Sequence, residues 1–447
     1  LKKLIDYINN NVLVKVASLN SASVIIKIVT GFLTSKAIAI FIGAEGLALI
    51  GNLRNFVSSM QSFAILGMYN GMVKYIAEFK NDTVQLSKTL STSFYIGFIS
   101  TIIVSFVCYF NAEFINTLIF PTYNDYAYVI RIMAVALPFY SMNMFAYSIM
   151  NGFSKYRMLL VINIIGQILG SSITLILIYQ NKIDGALISI VIAESIIFLI
   201  TLVGVVNQRS LIPLIRSSQV SFTSIKNLSS YSVMALFTAI VLPLVAISIR
   251  TYIIDNVGFK DAGFWEAMTR ISKYYLMFVS SLMSLYILPR FSEIDNNKEF
   301  RDEVFGFYKT IIPVFGLGLL VIFLLRRFIV AIVFTDEFKP VEDLFLWQLL
   351  GDFVKVLSIV ISYQFLAKKM FWHYIITEAF SVMTLYLTSV YFIDLYGVKG
   401  ATIAHFVTYV MYYGIILLIF SSSLFGVIPD DGILHQGDDD HEDKEED

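Results

Sequence analysis

The residues of this chain that could do chemistry are charged side chains set inside long apolar runs. Lys27, Lys36, Arg54, Arg131, Arg250, Arg270 and Lys273 are the cations, and Glu194, Glu266, Asp352 and Glu378 the acids, with Lys355 beside Asp352. A charge at the centre of a bilayer costs about 2.5–3.5 kcal/mol on insertion scales. Side chains of this kind must therefore line a wet cavity or pair inside a helix bundle. The cations outnumber the acids, so a cavity built from them is net positive and suits an anionic cargo.

Two clusters have specific spacing. Residues Glu266, Arg270 and Lys273 stand at i, i+4, i+7 and share one helix face, so Glu266 can pair with Arg270 and leave Lys273 as surplus charge. Gln348, Asp352 and Lys355 repeat that spacing, and here Asp352 can neutralise Lys355. Each cluster is readable as an ion pair that fixes helix packing or as a working site, and spacing alone leaves both open. Lys27 and Lys36 lie nine residues apart, about 180° around a helix, so at most one of them points into a given cavity. Asn52, Asn55, Gln61, Asn70, Asn143, Asn151, Asn163 and Gln167 add amides within apolar spans. Amides hydrogen-bond sugars, and they also hold membrane helices together.

Other chemistry finds no support. A phosphate loop ending in Gly-Lys-Ser/Thr is missing, so the chain carries no ATPase motor of its own. His373, His405, His435 and His441 have no metal-ligand spacing, and His405 reads as a packed or titrating helix residue. We expect no metal, cofactor or nucleic-acid partner. The single cysteine, Cys108, permits no intrachain disulfide.

The elements that must position these residues are membrane helices. Of the 447 residues, 57% are apolar and only 15% charged, against about 45–50% and 25% in soluble domains. That excludes a soluble enzyme, a disordered scaffold and a nucleic-acid binder. Long uninterrupted apolar runs predict about twelve spans, near 21–42, 47–78, 88–110, 126–150, 157–180, 183–206, 229–254, 262–292, 306–334, 342–367, 371–395 and 398–425. Residues 1–20 are polar and amphipathic, and the first run reads as an uncleaved anchor. With the N-terminus inside, most of the loop Lys and Arg fall on the inner side, which places both termini in the cytoplasm.

The chain divides into three stretches: a six-helix lobe over 1–210, a second over 211–426, and a tail over 427–447. The tail holds ten acids and one base, and without it the body has 31 basic and 23 acidic residues. The tail is expected to be solvated and disordered. The halves look repeated, since Arg54/Arg270 and Lys74/Arg290 match at one offset of 216 residues. The predicted architecture is an all-α polytopic membrane protein, two six-helix lobes around a central cleft.

Several stretches carry a family resemblance: Gly43-Ala-Glu-Gly-Leu47, Gly51-Asn-Leu-Arg54-Asn55, Asn70-Gly-Met-Val-Lys74-Tyr75, Gly263-Phe-Trp265, Leu288-Pro-Arg290, and Leu346-Trp-Gln348 through Gly351-Asp352 to Lys355. In these the chain resembles the lipid III flippases and O-antigen translocases of the multidrug/oligosaccharidyl-lipid/polysaccharide exporter superfamily. The resemblance implies a cargo of oligosaccharide on undecaprenyl pyrophosphate, moved between leaflets of the bacterial inner membrane. It implies a polysaccharide polymerase and a chain-length regulator as further partners. The cationic set Arg54, Arg270, Lys273, Lys27, Lys36 and Arg250 would then meet the pyrophosphate. Asp352, Lys355, Glu266, Gln348, Asn52 and Asn70 would line the cleft or couple it. Two alternatives stand beside this reading. A drug-cation antiporter would want unpaired carboxylates, and a membrane polymerase would want a larger outer loop.

Overall fold

The structure is a computed structural model that describes residues 12–120, 125–206, 213–294 and 296–425. The acidic tail and the first eleven residues lie outside them. Among the described residues every regular element is helical. The chain forms two compact units, Leu1–Ile247 and Ser248–Asp447.

The first unit contains α1 (Val12–Phe41), α2 (Gly43–Ala64), α3 (Tyr69–Glu78), α4 (Thr83–Phe110), α5 (Ala112–Ile119), α6 (Ala127–Gly152) and α7 (Tyr156–Val206), followed by most of α8 (Phe222–Asn256). The second takes the end of α8 and then α9 (Phe259–Leu282), α10 (Leu288–Glu293), α11 (Asn297–Leu324), α12 (Arg326–Val333), α13 (Phe345–Ala367), α14 (Phe371–Tyr396), α15 (Val398–Ile419) and α16 (Ser421–Phe425). Nine described stretches are long and apolar enough to cross a bilayer. One of them, 157–203, is 47 residues long, about 70 Å of helix at ~1.5 Å per residue. It turns back on itself at Lys182 (φ 48, ψ −117) and so supplies two spans. Two more are the polar-faced pairs α2–α3 and α9–α10, which brings the total to the expected twelve.

Helix α4 shows how composition sorts the faces. Ile99, Ile103, Phe106 and Phe110 follow one stripe and are 57–74% exposed, as a lipid-facing stripe must be in an isolated chain. Thr101 on its opposite side is fully buried, as are Ser91 and Thr92 nearer its start, small hydroxyl residues that let neighbouring backbones approach. Those hydroxyls also hold the segment that follows α7. Ser87 and Ser91 donate to the Leu214 carbonyl at 2.5 and 3.2 Å, and Ser91 and Thr92 accept from the Arg216 and Ser221 amides at 2.9 and 3.0 Å.

The run expected to be continuous over 47–78 is broken. Leu66 and Gly67 take φ of 50° and 61° between α2 and α3. A Cβ on Gly67 would stand 2.9 Å from the Ala235 Cβ, so α8 packs into the space the break opens. Hydropathy alone does not register that break, because apolar residues run through it.

The backbone carries an internal repeat, at an offset one residue short of the 216 at which Arg54/Arg270 and Lys74/Arg290 match. Positive φ recurs at 215 residues: Gly43 and Gly258, Ser154 and Lys369, Lys182 and Gly397. The helix end at Ser154 carries a Lys155 N–H to Met150 carbonyl bond of 2.8 Å, and its counterpart at Lys369 carries Met370 N–H to Phe365 carbonyl at 2.8 Å. The break at 65–68 is answered in the second unit by a π-helical turn, Met283–Ile287. Asp82 caps α4, and Asn296 caps α11.

Gly185 and Gly400 also match at that offset, each three residues past its turn. A Cβ on Gly185 would run into the Leu177 carbonyl, and one on Gly400 into the Phe392 carbonyl. Backbone cannot yield cheaply, so Gly185→Ala and Gly400→Ala should each cost about 1–3 kcal/mol. Gly414 has open space around its Cβ direction, so Gly414→Ala should be neutral or mildly stabilising. Cys108, buried and the only cysteine, supplies the assay. In detergent, reaction of a thiol-reactive dye with Cys108 should begin several degrees lower for the first two variants and not for the third.

Candidate functional site

Four helices of the first unit and the first turn of α3 enclose a polar cavity of about 670 Å³. Lys27 enters from α1, Arg54 and Gln61 from α2, Asn143 and Tyr147 from α6, and Asn163, Gln167 and Glu194 from the two arms of α7. Glu194 is exposed to this space, and the Lys27 ammonium is the charge that acts on its carboxylate. The charged residues lining the cavity are thus two cations and one acid. The amides are oriented by hydroxyls: Gln167 Nε2 donates to Thr30 Oγ1 at 2.9 Å, and Thr201 Oγ1 donates to Asn143 Oδ1 at 2.6 Å. Thr30 is held in turn by the Ile26 carbonyl at 2.8 Å. Lys36 lies half a turn out of phase with Lys27 and is half-buried outside this lining.

The second unit fills its interior with a side-chain network. Asp352 of α13 is fully buried and accepts four hydrogen bonds. Ser272 Oγ and Tyr275 OH of α9 donate to Oδ2 at 2.6 and 2.5 Å, Gln348 Nε2 reaches the same oxygen at 3.2 Å, and His405 Nε2 of α15 meets Oδ1 at 2.9 Å. A buried carboxylate needs such donors to offset its lost hydration. Gly351 makes the His405 contact possible, because a Cβ there would overlap the imidazole and crowd the Phe406 backbone at 3.1 Å. Lys355 stands 5.1 Å from the centre of the Tyr409 ring, with the Asp352 and Glu378 carboxylates acting on it through space. The pairing expected from the 352/355 spacing is therefore indirect.

The remaining sequence candidates fall in varied settings. Arg250 is 1% exposed and is held by Glu266 at 2.5 Å, with its guanidinium 5.2 Å from the Trp265 ring. The acid that spacing assigned to Arg270 thus has an ion pair with Arg250 of the preceding helix. Arg270 is 3% exposed and donates from Nε to Tyr274 OH at 3.0 Å. Lys273 and Asn70 are exposed. Asn52 is buried and donates to the Ile119 carbonyl at 2.9 Å, tying α2 to the end of α5. Arg131 forms an exposed ion pair with Glu113 at 3.0 Å.

Sequence reasoning did not see Glu194 as the partner of Lys27, nor His405 as the partner of Asp352. Both signals are present in the sequence as polar residues in apolar spans. Their partners lie 167 and 53 positions away, and no local spacing joins them.

Relatives of known name share this architecture. The lipid III flippase of Escherichia coli (strain K12) is 26% identical over 411 residues, covering 91% of this chain and 98% of that protein. Among solved structures, the lipid II flippase MurJ in an inward closed conformation superposes with a TM-score of 0.70 at 15% identity, over 91% of this chain and 87% of its own. A multidrug/oligosaccharidyl-lipid/polysaccharide superfamily transporter from Pyrococcus furiosus does so with 0.71 at 12% identity, over 92% and 96%. These likenesses establish the multi-pass, all-helical transporter fold. Residues 39–343 match the polysaccharide biosynthesis protein family, about two thirds of the chain, and the chain belongs to that family.

Proposed function

We propose that this protein is a flippase that moves an undecaprenyl-pyrophosphate-linked oligosaccharide from the cytoplasmic to the periplasmic leaflet of the bacterial inner membrane by alternating access. The observation that carries the reading is the cavity of the first unit, with Lys27 and Arg54 among amides and hydroxyls. A pyrophosphate needs cations in a desolvated site, and Arg presents a planar fork that matches phosphate oxygens. A sugar needs donors and acceptors fixed in place, and the Gln167–Thr30 and Asn143–Thr201 contacts fix two amides. The name of the E. coli relative supports the cargo class. A drug cation would meet two positive charges here against one carboxylate, so that alternative is disfavoured.

Energy for the step is available without nucleotide. Each negative charge that leaves an inside-negative cell gains about 2.3 kcal/mol per 100 mV. The cytoplasmic placement of both termini, and cooperation with a polymerase and a chain-length regulator, belong to the same proposal.

Charge-assisted hydrogen bonds contribute about 1.5–3 kcal/mol each. Arg54→Ala and Lys27→Ala should therefore each slow translocation about ten-fold or more, with Arg54→Lys recovering part of the loss. The measurement is restoration of surface polysaccharide in a strain lacking its own flippase, at matched protein levels. Lys339→Ala, at an exposed pair with Asp336, is the control expected to have no effect. Normal export by a Lys27→Ala/Arg54→Ala protein would reject this cavity as the pyrophosphate site.

Glu194→Gln removes the only acid among the described residues of the lining. Apparent affinity for an anionic cargo should rise, while release, and so turnover, falls. In a vesicle assay the variant should show a lower half-saturating cargo concentration and a lower maximal rate. A rise in both would place Glu194 outside the binding step.

A further inference from the structure

We infer that His405 is a proton-binding site that gives the buried Asp352 carboxylate of the second unit a cation in direct contact. This rests on the transporter reading only for its link to transport; the site itself is argued from geometry. Asp352 is fully buried, and among the described residues no ammonium or guanidinium lies within ion-pairing distance of it; Lys355 acts on it only through space. A buried charge without a partner in contact is strongly destabilising. The imidazole that meets Asp352 Oδ1 at 2.9 Å is placed to supply that partner.

Among the described residues, His405 and Lys355 are the cationic side chains that act on Asp352, and Lys355 is the one that acts on Glu378. On α9, Ser272 and Tyr275 face Asp352, while Arg270 sits about 200° around the helix from Ser272 and donates to Tyr274, and Lys273 is exposed. Arg250 is matched by Glu266. On α14, His373 stacks on Phe365 and Asp394 accepts from Tyr252. In the 3-10 segment Asp336–Leu344 that packs against α15, Asp336, Glu337 and Glu342 are paired with Lys339, Lys260 and Arg327. On α15 itself Tyr409 lies edge-on to His405 at 4.8 Å and carries no charge as a phenol.

The geometry lets the proton come and go. The His405 side chain is 16% exposed while Asp352 is fully buried, so the ring has an open edge and the acid has none. Neutral imidazole donates from Nε2 to Asp352 and leaves Nδ1 bare. A proton taken at Nδ1 gives the imidazolium without breaking the Nε2 bond, and adds one positive charge beside Asp352. Its loss removes that charge from the junction of α9, α13, α14 and α15. A change of one charge there biases any conformational equilibrium in which those helices move.

The test counts protons and needs no cargo. A chain carrying His373→Gln, His435→Gln and His441→Gln retains His405 as its only imidazole. In weakly buffered detergent solution, a pH-indicator dye measures proton uptake between about pH 8 and pH 5, where histidine titrates. The sole-histidine chain should take up one proton more than the same chain with His405→Gln. Gln at 405 keeps an amide donor near Asp352, so the fold is expected to survive. Should it not, Asp352→Asn in the sole-histidine chain serves instead, because losing the carboxylate should change the uptake. Equal uptake with and without His405, or uptake unchanged by Asp352→Asn, overturns the proposal. So does uptake abolished by replacing potassium with sodium chloride, which would mark a metal-cation site. If the proton count holds, export by His405→Gln should lose its pH dependence. Failure of that last arm alone would leave the proton site standing and remove only its link to transport.

Discussion

Every charge within a membrane-spanning bundle must be answered by another charge, by hydrogen-bond donors, or by enclosed water. Much of this structure follows from that requirement. A lone ionised side chain in hydrocarbon is expensive enough to oppose insertion, and the chain places about a dozen within its spans. It answers them in three ways. Arg250 and Glu266 cancel each other in direct contact. Asp352 is surrounded by four donors from three helices. Lys27, Arg54 and Glu194 share a cavity large enough for water or cargo. The first two fix how helices pack, and the third leaves room for something to bind.

The repeat shows how one six-helix plan supports two different interiors. Backbone breaks recur at an offset of 215 residues, down to the same pattern of bonds at the Ser154 and Lys369 helix ends. Turns of this kind are set by local sterics and survive exchange of side chains. The interiors do not survive it. At the same offset Asn163 and Glu194, which line the cavity, correspond to Glu378 and Tyr409, which belong to the filled network. Lys355 corresponds to Tyr140. The same positions thus make an open polar space in one unit and a closed hydrogen-bonded junction in the other.

Much of this was legible from the sequence. Twelve spans could be read because length and apolarity are local properties, and in most cases their limits fall within a few residues of the helices found. The break near Gly67 could not be read from hydropathy, because the apolar run continues through it. Charged residues in apolar runs marked positions that the structure gathers into a cavity, an ion pair and a hydrogen-bonded network. Helical spacing offered a near candidate in each case, Lys355 for Asp352 and Arg270 for Glu266, and did not show the contacts that Asp352 makes with His405 and Glu266 with Arg250. Spacing along one helix identifies neighbours on one face. In a bundle, the strongest partner more often comes from the helix that packs against that face. His405 illustrates the point: the sequence reads it as a packed or titrating helix residue, and only the fold shows it as the fourth donor to the buried Asp352.

The polar groups of the two units then differ in what they leave open. The described lining of the first unit's cavity has two cations and one acid, and so a net positive charge that an anion satisfies. The network of the second sets a fully buried carboxylate against a partly exposed imidazole, a contact that a proton strengthens. A protein that only needed stable helix packing would balance each group internally, as Arg250 and Glu266 do. A positive surplus beside an open cavity, and an imidazole beside a buried acid, suit a machine that binds an anionic cargo in one half and a proton in the other. Binding that offsets a buried charge lowers the cost of burying that site, which makes occupancy itself a determinant of conformation.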